Sequence, residues 1–199
     1  MCQYKSAIVL PLGDLVHSDA TDRHEDLILL AGLTDTNRQP NFVRIEYTGS
    51  DLTDIDTYAL KVDQDWLPAW WDAAMVEDVT RRMRARCVAS IVREHRAILC
   101  GGVWAVGGAA VVDRVVSARI VSVRGSATIR GVWGSATITD VGGSATIRDV
   151  WDSATITHVG GSATIRDVWD SATITDVGGS ATIRDDHRVA AQRREGGAK

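Results

Sequence analysis

From Ser126 onward the chain repeats itself every nine residues, and no other feature limits the possible folds as strongly. Ser-Ala-Thr-Ile starts at residues 126, 135, 144, 153, 162, 171 and 180. A valine follows three residues after each of these isoleucines but the last, from Val132 to Val177. Degraded copies extend upstream as Ser117-Ala-Arg-Ile and Gly108-Ala-Ala-Val, the former with its own Val123. Fixed-period self-similarity marks an array of stacked units, each burying its apolar face against its neighbours. Ala, Ile and Val recur with β-branched Thr between Ala and Ile, which favours strands. Glycine or aspartate closes each unit where the chain must turn.

Nine residues are too few to close a coil around a core. The units alternate Ser-Ala-Thr-Ile-Arg-Asp-Val-Trp-Asp (144–152) with Ser-Ala-Thr-Ile-Thr-Asp-Val-Gly-Gly (135–143), so the natural coil is eighteen residues. The fold expected is an α+β N-terminal domain followed by an all-β solenoid, a β-helix with two nine-residue units per coil. About four coils fit between Gly108 and Asp185, and their strands should stack at about 4.8 Å. Ile and Val point inward. The domains expected are residues 1–96, a small α+β cap; 97–185, the solenoid; and 186–199, a polar C-terminal tail. Open solenoid ends expose strand edges, so the first domain is expected to cover one of them.

Stacking turns positions into columns. One holds Trp133, Trp151 and Trp169. Another holds Arg130, Arg148, Arg166 and Arg184, with Asp149, Asp167 and Asp185 next in sequence. An arginine ladder at this pitch repels itself by roughly 1 kcal/mol per neighbouring pair in water, and the aspartates are expected to offset that. The tryptophans form an apolar stripe of the kind that marks an interface. The opposite face carries Thr137-Ile-Thr139, Thr155-Ile-Thr157 and Thr173-Ile-Thr175, an array like that of ice-binding solenoids. Calcium is not expected, because Gly142-Gly-Ser-Ala-Thr-Ile lacks the third glycine and the aspartate of the calcium-binding nonapeptide. A pentapeptide-type polyanion mimic is also excluded, since the period is nine and the charge balanced.

Upstream, Ser6 to Pro11 reads as a strand, and His24 to Ala31 as a short helix closed at Gly32. Asn41–Tyr47 and Tyr58–Val62 read as strands that pair with each other. A helix opens near Pro68 and runs to about Arg93. Residues 1–96 carry 16 acidic and 11 basic side chains. The basic run Arg81-Arg82-Met83-Arg84-Ala85-Arg86 reads as a solvated helix face, and Trp66, Trp70 and Trp71 as core or interface packing. Three cysteines without metal-type spacing (Cys2, Cys87, Cys100), no signal peptide and no run of about 18 apolar residues point to the cytoplasm and to no membrane contact. His158 replaces an Asp once in its column and reads as drift.

The motifs Met1-Cys-x-x-Lys-Ser-Ala-Ile-Val, Asp22-Arg-His-Glu-Asp-Leu-Ile, Asn41-Phe-Val-Arg-Ile-Glu and Lys61-Val-Asp-Gln-Asp, with the Ser-Ala-Thr repeats, resemble an uncharacterised family of bacteriophage and bacterial genomes. The resemblance spans nearly the whole chain and implies a phage or prophage origin, with the host cytoplasm as its compartment. It transfers no activity. The reading reached is a non-enzymatic binding or assembly protein. It would self-associate or bind a protein partner through the Trp133/Trp151/Trp169 and Arg130/Arg148/Arg166/Arg184 columns, with no cofactor, no metal and no nucleic acid. One alternative is an N-terminal cysteine hydrolase in which Cys2, exposed by removal of Met1, is the nucleophile and His24, with Asp22 or Glu25, assists it; the other is an ice-binding protein that uses the Thr-x-Thr face.

Overall fold

The computed structural model describes residues 5–35 and 40–188. The chain divides into two compact units, Met1–Ala89 and Ser90–Lys199. The catalytic candidate Cys2 lies outside the described residues.

Among the described residues, the first unit is a four-stranded antiparallel sheet with two α-helices and a short 3-10 helix at Ile55–Thr57. Its elements are β1 (Ser6–Val9), β2 (Leu15–Val16), α1 (His24–Leu30), β3 (Val43–Gly49), β4 (Tyr58–Val62) and α2 (Ala73–Ala89), with sheet order β2-β1-β3-β4. As expected, β3 and β4 pair, with Tyr47 opposite Leu60. Ile8, Leu27, Ile28 and Phe42 form one buried cluster. Val79, Met83 and Cys87, spaced by four, bury one stripe of α2. That helix starts at Ala73 rather than near Pro68. Asp72 sets the start: its carboxylate accepts the Met75 N–H at 2.9 Å, satisfying a first-turn donor. Trp66 is exposed, and Trp70 and Trp71 are half-buried in an edge-to-face pair, so none belongs to the buried core. The basic run is not free in solvent either. Arg82 and Arg81 pair with Asp78, Arg84 with Asp56 at 2.6 Å, and Arg86 with Asp19 at 2.5 Å.

The second unit is the solenoid, with about 18 residues per turn. It starts upstream of the recognisable repeat, with β5 (Ile91–Val92), β6 (Arg96–Cys100), β7 (Val103–Val106), β8 (Val111–Val116) and β9 (Arg119–Val123). The regular part follows as β10 (Thr128–Trp133), β11 (Thr137–Val141), β12 (Thr146–Val150), β13 (Thr155–Val159), β14 (Thr164–Val168), β15 (Thr173–Val177) and β16 (Thr182–Asp186). Even-numbered strands form one six-stranded parallel sheet and odd-numbered strands the other. About five turns result, more than the four the repeat suggested. The early turns are shorter, which hides them from a fixed-period reading. Ile91 pairs with Ala105, Arg96 with Val112, Val111 with Thr128, and Arg119 with Thr137, so the step grows through 14, 16 and 17 to 18.

Ala, Ile and Val of each unit line one continuous core. Ala127, Ile129 and Val132, and their equivalents through Val168, are fully buried. Ile and Val stand three apart yet both face inward, which strict alternation forbids. The strand therefore bends between them, and the Arg–Asp or Thr–Asp pair lies on the outside of the bend. In the last turn Asp186 takes the place of the core valine, opposite Val168, and its carboxylate binds Arg188.

The two turn columns explain the alternation of glycine with aspartate. Gly125, Gly143, Gly161 and Gly179 all have φ between +62° and +69°. A Cβ on Gly161 would lie 2.9 Å from the Gly143 carbonyl oxygen, so this column admits no side chain. On the other side Asp152 and Asp170 adopt φ of +58° and +53°. There the neighbouring turn leaves room, and the Asp152 carboxylate accepts the Gly134 N–H at 2.8 Å.

Candidate functional site

The outer wall of the even-numbered sheet carries the side chains singled out by the repeat. Trp133, Trp151 and Trp169 follow inward-pointing valines at the ends of their strands. Their rings are parallel: Trp133 and Trp151 have centroids 5.2 Å apart and planes within 7°, Trp151 and Trp169 4.9 Å and 3°. Each pair of this kind contributes roughly 0.5–1.5 kcal/mol beyond its buried area. His187 completes the column, stacked on Trp169 at 3.8 Å, with Nε2 3.5 Å from an Asp167 oxygen. It stands eighteen residues after Trp169, so the period alone would have placed it. The rings turn their faces to each other and half-bury themselves, and all three indole N–H groups are buried without a hydrogen-bond partner among the described residues. The column is a rigid rib presenting ring edges rather than open faces.

Beside the rib runs the arginine row. Arg130 pairs with Asp113 at 2.9 Å, and His95 reaches the same carboxylate at 3.0 Å. The His95 hydrogen bond first, and then Arg130, hold Asp113 below the usual carboxylate range. Arg148, Arg166 and Arg184 are exposed, and no ion pair joins any of them to a carboxylate among the described residues. The expected neutralisation by the Asp column does not take the form of contact pairs, because the bend turns successive residues in different directions. Burial, with Asp167 adding to it, pushes the Asp149 carboxyl up, and this outweighs the opposite pull of Arg148 and Arg166.

The odd-numbered wall is plainer. Thr137, Thr155 and Thr173 stand in register, as do Asp140, His158 and Asp176. His158 Nδ1 lies 3.3 Å from Asp176, so the single histidine of that column is bonded to its neighbour. Above Gly160 and Gly178 nothing comes within 4 Å of a Cβ position, which leaves an open step where the other wall has tryptophan. Arg124, one turn earlier, folds over Gly142 and pairs with Asp140.

His24 is buried in the first unit. Nδ1 faces Asp63 Oδ2 at 3.1 Å, and Nε2 meets the Ile45 carbonyl oxygen at 3.1 Å. Asp22 accepts the Ser6 N–H at 3.4 Å, and Glu25 sits 3.9 Å from Arg23. Asp63 follows β4, and the β3–β4 pairing together with the packing of α1 on the sheet brings it to His24. Among the described residues, no helix is long and apolar enough to cross a membrane.

No family model, no curated protein and no solved structure matches the chain.

Proposed function

We propose that this chain is a non-enzymatic binding or assembly protein, of phage or prophage origin, that engages a second copy of itself or a protein partner through the even-numbered wall of its solenoid. The observation that carries the reading is the row Arg148, Arg166, Arg184. Three exposed guanidiniums at a pitch of about 4.8 Å repel one another and, among the described residues, form no contact ion pair. A carboxylate-bearing surface docking there would relieve that repulsion, and arginine is the side chain best suited to bidentate carboxylate recognition. The tryptophan rib beside it contributes rigidity, so little order has to be gained on binding. The resemblance of the chain's motifs to a phage-borne family supports the proposed origin.

The test is light scattering across a salt series, on wild type and on Arg148→Ala/Arg166→Ala/Arg184→Ala. A defined oligomer that dissociates with salt and is absent in the triple variant is the expected result. A monomer at every salt concentration, with no partner retained by immobilised wild type but lost by the variant, refutes the proposal.

A further inference from the structure

We infer that His24, Glu46 and Asp63 form a binding site for one first-row divalent transition cation. Their ligand atoms all lie within 4.8 Å of one another. They come from the first residue of α1, the middle of β3 and the residue after β4, so no sequence spacing announces them.

The buried imidazole supplies the argument. Ile45 presents a carbonyl oxygen to Nε2, and a carbonyl only accepts, so Nε2 carries the hydrogen. Nδ1 then turns its lone pair toward Asp63, a second acceptor, at 3.1 Å. Two lone-pair donors at that distance require positive charge between them: a proton or a metal ion. With Glu46 the cluster holds two carboxylates. A divalent cation placed between them would balance both carboxylate charges while accepting the imidazole lone pair. A histidine whose far nitrogen is held by a backbone carbonyl is the arrangement that orients metal-ligating imidazoles.

A second observation points the same way. Ser6 stands directly opposite Glu46 in the β1–β3 ladder, hence on the same face, and is almost wholly buried. Its hydroxyl has no hydrogen-bond partner among the described residues. A water on a cation held by Glu46 would satisfy it. The cationic side chains around the cluster are partly committed elsewhere: Arg44 pairs with Asp35 at 2.5 Å and Arg23 with Glu25. Lys61, across from Glu46 on β4, is exposed. One imidazole and two carboxylates suit Zn2+ and its neighbours, and leave coordination positions open on the solvent side, where Asp63 is exposed. Donors around a tetrahedral zinc stand about 3.4 Å apart, so the ligands need to close only slightly.

The experiment uses the full chain stripped with chelator. It is titrated with Zn2+ by calorimetry and followed by thermal unfolding, alongside Glu46→Gln and Asp63→Asn checked for folding by circular dichroism. His24 is left intact because its burial makes its replacement a risk to the fold. Expected are one-to-one binding, a raised Tm, and affinity reduced at least roughly tenfold in each variant. Co2+ in place of Zn2+ should give weak visible bands without a thiolate charge-transfer band. Absence of saturable binding, wild-type affinity in both variants, or a thiolate band that places the ion on a cysteine would each overturn the assignment.

Discussion

Replacing Gly161 with alanine, and Gly134 with alanine in parallel, separates two costs that a positive φ normally confounds. Both glycines have left-handed backbones, φ of +62° and +67°. Each alanine therefore carries the ordinary left-handed penalty of about 1–2 kcal/mol. The surroundings differ. A Cβ at 161 meets Gly143 backbone at 2.9 and 3.0 Å, whereas one at 134 meets only the Ser117 hydroxyl at 3.3 Å. Backbone of the neighbouring turn moves only by stretching the ladder, which adds roughly 1–3 kcal/mol of overpacking strain. The expected losses are thus about 2–5 kcal/mol at 161 and about 1–2 kcal/mol at 134. Urea unfolding is read by tryptophan fluorescence, to which four of the seven tryptophans contribute from the solenoid, and with a slope of roughly 1–3 kcal/mol per molar the midpoints should differ by about 1 M. Gly134→Asp supplies a control, because Asp152 and Asp170 already occupy that column; its midpoint should stay near wild type. Equal midpoint shifts for the two alanine variants would refute the argument that inter-turn crowding, rather than φ alone, reserves one column for glycine.

Two further predictions concern single side chains. Trp151→Ala removes both ring contacts at the centre of the rib and should cost about 2 kcal/mol, whereas Trp151→Phe should cost much less, because the lost indole N–H has no hydrogen-bond partner among the described residues; similar urea midpoints for the two variants would contradict the stacking account. Burial pushes the Cys87 thiol up to about 12, so at pH 8 native protein should show alkylation by iodoacetamide at exposed Cys100 and none at Cys87 by peptide mass mapping, with both labelled in urea. The linked stability has a definite sign. The folded thiol binds its proton more tightly than the unfolded one, so its contribution is complete below the unfolded value and is lost as pH rises from about 9 toward 12.

How much was legible in the residues follows from what kind of information each feature needs. The eighteen-residue coil, the inward Ala, Ile and Val, and the tryptophan and arginine columns follow from the repeat, because a parallel ladder carries a fixed period directly into space. The pairing of β3 with β4 was legible for a similar local reason, alternation on both sides of a connection. The short early turns were not, since Ile91 to Val116 keep the apolar pattern but change the step from one turn to the next. Nor was the reason for glycine in one turn column and aspartate in the other, which depends on how closely two backbones approach.

The same division holds for the sites. The repeat alone dictates which side chains share a wall of the solenoid, and His187 could have been added to the rib by counting eighteen from Trp169. That the rings close on each other, and that Arg148, Arg166 and Arg184 make no contact ion pair among the described residues, needed the folded chain, since both depend on side-chain direction at the bend. Only the tertiary structure brought His24, Glu46 and Asp63 together. Their meeting rests on antiparallel pairing and helix packing between segments 17 and 22 residues apart, and no local pattern of residue types encodes such a distance.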